Sequence, residues 1–185
     1  MGIKISLFKE ALVFDKILER PKMNLETEIT YGFTSGTTGI PKGVIYTHRM
    51  VIGQCVAMLG HYELKPTDVH MSYLPIAHSF ERYVTWTCIY FGVNIRYARH
   101  PIAEILKDFA ICRPTTMPIV PRLLNKFYPL LKGLYEKEGN YNKIRAMFGG
   151  RLRILVTGSA PVAPTILLFF CEALGAEVRE GFGQT

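Results

Sequence analysis

The sequence is poor in the features that mark several common protein classes. Its four cysteines, Cys55, Cys88, Cys112 and Cys171, make no Cys-x-x-Cys pair and no metal-ligand spacing, and each stands beside apolar neighbours. A disulfide scaffold and a zinc module are excluded, and buried, reduced thiols in a reducing compartment are expected. The five histidines form no His-x-x-x-His or His-Glu-x-x-His pattern, which removes a zinc hydrolase. No apolar stretch is long enough to cross a bilayer: residues 84–95 and 166–171 are both short, and the first is broken by Thr, Gly and Asn. Internal repeats and low-complexity segments are missing too. The net charge is +7, yet the basic residues form no run. That argues against a nucleic-acid partner and leaves an anionic small molecule or surface.

What is present is ordinary globular composition. Hydrophobic residues make up 49% and charged residues 20% of 185 positions, enough for one domain with a real core. Strand and helix patterns alternate along it. Residues 28–33 read as a strand entering a Gly/Thr loop. Thr47 is placed as the N-cap of a helix running to Leu59, apolar nearly all round and so expected to be buried. Further strands are expected at 69–74, 94–98, 115–120, 152–156 and 177–179. Helices are expected at 79–91, ended by Gly92, at 102–111, and at 164–174, with Pro in the first turn and Gly175 at the end. Another follows Leu123, Phe127, Leu131 and Leu134, where Pro129 should kink or shorten it. Residues 137–145 read as a polar surface loop.

This alternation predicts an α/β fold, a layered, mainly parallel sheet with flanking helices. The run at 152–156, apolar almost throughout, suits a central parallel strand. Ligands of such sheets bind beyond the carboxyl ends of the strands. Three loops follow strands, at 34–43, 158–161 and 180–185, all rich in small or hydroxyl residues. The topology is expected to bring them to one crevice.

The most informative stretch is Thr34-Ser35-Gly36-Thr37-Thr38-Gly39-Ile40-Pro41-Lys42-Gly43. Glycines let backbone N–H groups approach an anion, hydroxyls add donors for phosphate oxygens, and Lys42 adds a mobile positive charge. It is not a Walker loop, because the Gly before the lysine and the hydroxyl after it are both absent. The plainer alternative is a Gly/Thr-rich hairpin turn.

This loop resembles the signature of the adenylate-forming (AMP-binding) superfamily, which includes acyl-CoA synthetases, peptide-synthetase adenylation domains and luciferases. The resemblance continues through Thr47-His48-Arg49, Thr157-Gly158-Ser159-Ala160-Pro161 and Glu180-Gly181-Phe182-Gly183-Gln184-Thr185, with Phe182 where Tyr is usual. His78-Ser79-Phe80-Glu81-Arg82, Arg113-Pro114-Thr115 and Val120-Pro121-Arg122-Leu123-Leu124 are similar to the long-chain fatty acid–CoA ligase branch.

The resemblance implies ATP-dependent conversion of a long-chain fatty acid to acyl-AMP and then to acyl-CoA. Fatty acid, ATP and CoA would be the small-molecule partners, with Mg²⁺ as cofactor. It implies that Thr34, Ser35, Gly36, Thr37, Thr38, Gly39 and Lys42 hold the β- and γ-phosphates. Gly158, Ser159, Ala160 and Pro161 would line the adenine and acyl sides. Phe182 would pack on adenine, within the loop of Glu180, Gly181, Gly183 and Gln184, although a core aromatic is the plainer reading. Thr185 would contact the α-phosphate, and His78 would sit near the carboxylate. Glu81 and Arg82 are expected to form a structural ion pair. Trp86 is expected in the core, with a place in an acyl tunnel as the alternative.

The family pattern extends to either side of this chain. The Glu that ligates Mg²⁺, the Asp that holds ribose and a C-terminal lid domain with a catalytic Lys are expected beyond Thr185. Residues 1–185 are therefore expected to form a partial AMP-binding (adenylation) domain, as a fragment or degenerate copy, with no metal ligand of its own and no turnover alone. The resemblance also implies an intracellular setting. That is the cytoplasm or the cytosolic face of a membrane such as the endoplasmic reticulum, with room for peripheral membrane association of the complete enzyme. Two other readings stay open: a non-catalytic nucleotide-binding module, and adenylation of an aryl or amino acid.

Overall fold

The computed structural model describes residues 22–34, 39–58 and 63–183. The chain opens with a two-stranded antiparallel hairpin, β1 (Glu28–Phe33) and β2 (Gly43–Thr47), with Phe33 opposite Gly43. Strand β2 was not among the expected elements, although Val44, Ile45, Tyr46 and Thr47 are all strand formers. Helix α1 (His48–Ala57) follows directly, capped by Thr47, whose Oγ1 accepts from the Met50 N–H at 3.4 Å. Its expected burial is overturned. Val51 and Cys55 alone are buried, one turn apart, while Met50, Ile52 and Val56 are exposed. The helix lies on the outside and packs along a single stripe.

Five strands form the main sheet: β3 (Val69–Ser72), β4 (Asn94–Tyr97), β5 (Thr116–Ile119), β6 (Ile154–Gly158) and β7 (Glu177–Gly181). Their spatial order is β4-β3-β5-β6-β7, and every neighbouring pair is parallel. The connections carry α2 (Ser79–Tyr90), a short 3₁₀ turn leading into α3 (Ile105–Cys112), α4 (Pro121–Glu138), α5 (Asn142–Met147) and α6 (Pro164–Leu174). Helix α4 runs through Pro129. That proline removes the N–H that would serve the Asn125 carbonyl, but both residues are exposed, so water can take its place. Helix α5 replaces part of the loop expected at 137–145. Its one buried residue, Ile144, is hidden in sequence among polar neighbours.

Alternate strand residues face opposite sides of the sheet. Met71, Met117, Ile119 and Leu155 join Phe109, Leu124, Phe148 and Phe170 in the main core, and neither α1 nor α2 adds a residue to that cluster. His70 and Thr116, neighbours in register, occupy the other face, where α2 lies. The amino ends of the strands are tied by Asp68. Its carboxylate accepts from Thr115 Oγ1 at 2.7 Å, Arg153 Nη2 at 2.7 Å and the Lys65 N–H at 2.8 Å.

Candidate active site

A cavity of about 310 Å³ opens at the carboxyl ends of β6 and β7, on the α2 face of the sheet. Its floor is Val156, Gly158, Ser159, Gly181, Phe182 and Gly183. Helix α2 supplies one wall through Ser79, Phe80, Arg82, Tyr83 and Trp86; β2, α1 and the residue after it add Tyr46, Gln54, Ala57 and Met58.

The backbone makes this floor possible. A Cβ on Gly158 would lie 2.7 Å from the Gly181 carbonyl oxygen and 4.0 Å from the Phe80 ring, so only glycine lets β6 and β7 meet here. The next residue, Ser159, has φ 73°, a left-handed conformation that costs a non-glycine residue roughly 1–2 kcal/mol. Backbone strain of this kind gathers at ligand sites. Glu180 holds the same turn by accepting from the Val162 N–H at 3.1 Å. Phe182 is 93% exposed, which overturns the core-aromatic reading and leaves its ring open at the cavity. Trp86 also leaves the expected core: it is half-buried, lines the cavity and meets Tyr46 edge-on at 6.0 Å.

The expected Glu81–Arg82 ion pair does not form. Glu81 is fully buried and bonds to His70 Nε2 at 3.2 Å, while Arg82 donates to the carbonyls of Ile76, Ala77 and Tyr31. Consecutive helical residues point about a quarter-turn apart, so the two side chains find different partners. Arg82 thereby pins the start of α2 to β1.

Two of the three strand-following loops reach this cavity. The described part of the third, the tip of the β1–β2 hairpin, does not line it. Thr34 and Lys42 close that loop at its neck: the Thr34 N–H donates to the Lys42 carbonyl at 3.0 Å, and the Lys42 N–H donates to Thr34 Oγ1 at 3.2 Å. Gly39 adopts φ 103°, which only glycine does freely. The Lys42 side chain is exposed, with no ion pair among the described residues. Ser35, Gly36, Thr37, Thr38, Gln184 and Thr185 lie outside the described residues. Ala160 and Pro161 are exposed beyond the wall, and His78 is exposed at the N-cap of α2, adjoining the wall through Ser79.

The nearby thiols are unsuited to nucleophilic work. Burial pushes the Cys88 thiol up to about 12, helped by the Glu81 charge, and burial also raises Cys55. The fourth cysteine, Cys171, is exposed, contrary to the expectation of burial. Among the described residues no group of three His, Cys, Asp or Glu is gathered to hold a metal ion. The lining residues that the sequence did not assign to a site include Tyr46, Gln54, Arg82 and Tyr83. Positions 79, 82, 83 and 86 share one helical stripe, so the signal was there, but which stripe faced a cavity was not.

The opening thus lies at strand carboxyl ends and is floored largely by glycines. Residues 6–185 match the family described as AMP-binding enzyme. This chain belongs to that family. It is 35% identical to long-chain-fatty-acid–CoA ligase 1 of Homo sapiens and 39% identical to ligase 6 of Rattus norvegicus, over 83% of its own length in each case. It is 34% identical, over 84% of its length, to the peroxisomal long chain acyl-CoA synthetase 7 of Arabidopsis thaliana. The chain spans 27% of the length of each of these relatives. Its fold is shared with the A-PCP didomain of carboxylic acid reductase from Segniliparus rugosus in complex with AMP. That match has TM-score 0.75 and 23% identity, and it covers 92% of this chain and 26% of that one. The inhibitor-bound N-terminal domain of FACL13 from Mycobacterium tuberculosis matches with TM-score 0.69 and 20% identity, covering 92% and 39%. At these identities the structural likeness concerns the fold alone.

Proposed function

We propose that the protein takes part in activating a long-chain fatty acid. A carboxylate oxygen attacks the α-phosphorus of ATP, the bond to pyrophosphate breaks, and acyl-AMP forms. The sulfur of CoA then attacks the acyl carbon, AMP leaves, and the thiol proton passes to solvent. The observation that supports this best is the cavity itself. It sets the two glycine loops of the family beside an aromatic wall, in a chain 39% identical to a long-chain ligase.

In this reading Phe182 offers adenine a ring to stack on, and Gly158, Ser159, Gly181 and Gly183 bring backbone close to the nucleotide. Ala160, Pro161, Glu180 and Gln184 shape those loops. Thr34, Ser35, Gly36, Thr37, Thr38, Gly39 and Lys42 take the β- and γ-phosphates. An exposed lysine with no acidic partner among the described residues is available for that charge. Thr185 is assigned to the α-phosphate and His78 to the neighbourhood of the carboxylate. Mg²⁺ would neutralise phosphate charge when bound, but the described residues offer no cluster for it, and no step is assigned to it. The free thiols fit work in the cytoplasm or at the cytosolic face of a membrane; no described helix is long and apolar enough to cross one.

The test is acid-dependent ATP–pyrophosphate exchange in a hybrid enzyme in which this chain replaces the matching stretch of the rat ligase 6. Oleate should support exchange, and acetate and benzoate should not. Lys42→Ala should lower the rate by about 10²–10³-fold without unfolding the protein. A folded hybrid that binds ATP but exchanges with no acid supports a binding module instead, and preference for benzoate sinks the long-chain assignment.

A further inference from the structure

Among the described residues, Arg82 is the one charged side chain in the wall of the cavity. No described carboxylate neutralises it. Glu81 is turned away onto His70, and no described carboxylate lies within ion-pair distance of the guanidinium. Its bonds to the carbonyls of Ile76, Tyr31 and Ala77, at 3.2, 3.3 and 3.3 Å, use Nε, Nη1 and Nη2 once each. One N–H remains on each terminal nitrogen. Carbonyl oxygens orient a guanidinium without cancelling its charge, so a held cation with a spare pair of donors is preorganised for a carboxylate.

Two features surround it. Helix α2 begins here without a side-chain cap, and Ser79 and Phe80 of its first turn also line the cavity, so the positive end of a twelve-residue helix meets the same space. Beyond Arg82 the cavity is lined mainly by apolar and aromatic groups, among them Trp86, Tyr46 and Met58 of the walls and Val156 of the floor, with Gln54 a polar side chain between them. We infer that Arg82 is the anion anchor of the cavity and binds the carboxylate of an apolar acid, whose chain lies against Trp86 and Tyr46. This rests on the acid-activation reading and deepens it by giving the unreacted carboxylate a named partner on α2. Arg82 acts here as a substrate-binding residue.

Trp86 is the only tryptophan, so its fluorescence reports occupancy of the wall. The 185-residue chain, as wild type, Arg82→Gln and Arg82→Lys, is titrated with laurate, dodecanol and AMP, and folding is checked by circular dichroism. Wild type should bind laurate about tenfold or more tighter than dodecanol. The preference should vanish in Arg82→Gln and return in part in Arg82→Lys, with dodecanol affinity equal in all three. If Arg82→Gln does not fold, wild type still decides: the expected order is laurate, then dodecanol, then dodecylammonium. A laurate preference that survives Arg82→Gln overturns the proposal. So does a loss confined to AMP, which would assign the guanidinium to a nucleotide phosphate. Equal binding of laurate and dodecanol by wild type removes the role of Arg82 but leaves the apolar site standing. Binding of neither removes both.

Discussion

The two faces of the main sheet are built on opposite principles. One is largely apolar: Met71, Met117, Ile119 and Leu155 are fully buried against rings such as Phe109 and Phe148, and the Tyr73 and Thr157 hydroxyls are the polar atoms buried with them. The other carries buried polar groups. His70 and Glu81 are both wholly out of water, and His70 Nδ1, Glu81 Oε2 and Thr85 Oγ1 have no hydrogen-bond partner among the described residues. It is also incompletely covered, because the cavity occupies the space over β6 and β7. A close-packed face supplies stability, whereas a polar, partly open face supplies a site at some cost in stability. The molecule keeps these duties on separate sides of one sheet, and each can be perturbed apart from the other.

The largest effect belongs to the apolar face. Phe148 meets Phe109, Phe127 and Phe170 with ring centroids 5.3, 6.2 and 6.3 Å away. Phe148→Ala should lower the unfolding free energy by about 3–5 kcal/mol, measured by urea denaturation. A loss under about 1 kcal/mol would mean that this face is not the close-packed core.

On the polar face the cost lies in partners rather than volume. Glu81→Ala strands the buried His70 ring and should cost about 1–3 kcal/mol. Replacing both, as His70→Leu with Glu81→Met, should cost less than the single change, because neither position then holds a buried polar group without its partner. A double variant less stable than Glu81→Ala would show that the pair is a net stabiliser of this face.

The smallest effect concerns the amino edge, which belongs to neither face. Burial opposes ionisation of Asp68, but donation from Thr115, Arg153 and the Lys65 N–H outweighs it and holds the carboxyl below the usual Asp value. Its stabilisation is therefore complete above about pH 3.9 and is lost as the pH falls through the lowered folded-state value. Asp68→Asn should flatten the acid limb of urea midpoint against pH while leaving ligand response at the cavity unchanged. An acid limb identical to wild type would remove Asp68 from that role.

Much of the fold was legible because alternation of period and punctuation by Gly and Pro are local. The bounds of β1 and α6 emerge from such signals, as does the Thr47 cap. Helix α5 was not legible, because its burial rests on Ile144 alone. The glycine and hydroxyl loop at 34–43, the Gly158 turn and the Phe182 loop could be put forward as candidate sites from residue types and order. Their surroundings could not.

Residue chemistry along the chain by itself determined the alternating strands and helices, the glycine and hydroxyl loops, and the family to which they belong. Those properties depend on neighbours a few positions apart. The tertiary structure alone decided that Phe182 stands open, that α1 packs on the outside, and that Glu81 and Arg82 part company. Each of those outcomes depends on which face of an element meets which partner. Glu81 turns to a histidine eleven positions earlier and Arg82 to a carbonyl fifty-one positions earlier, and only the folded sheet and hairpin bring such groups within hydrogen-bond reach.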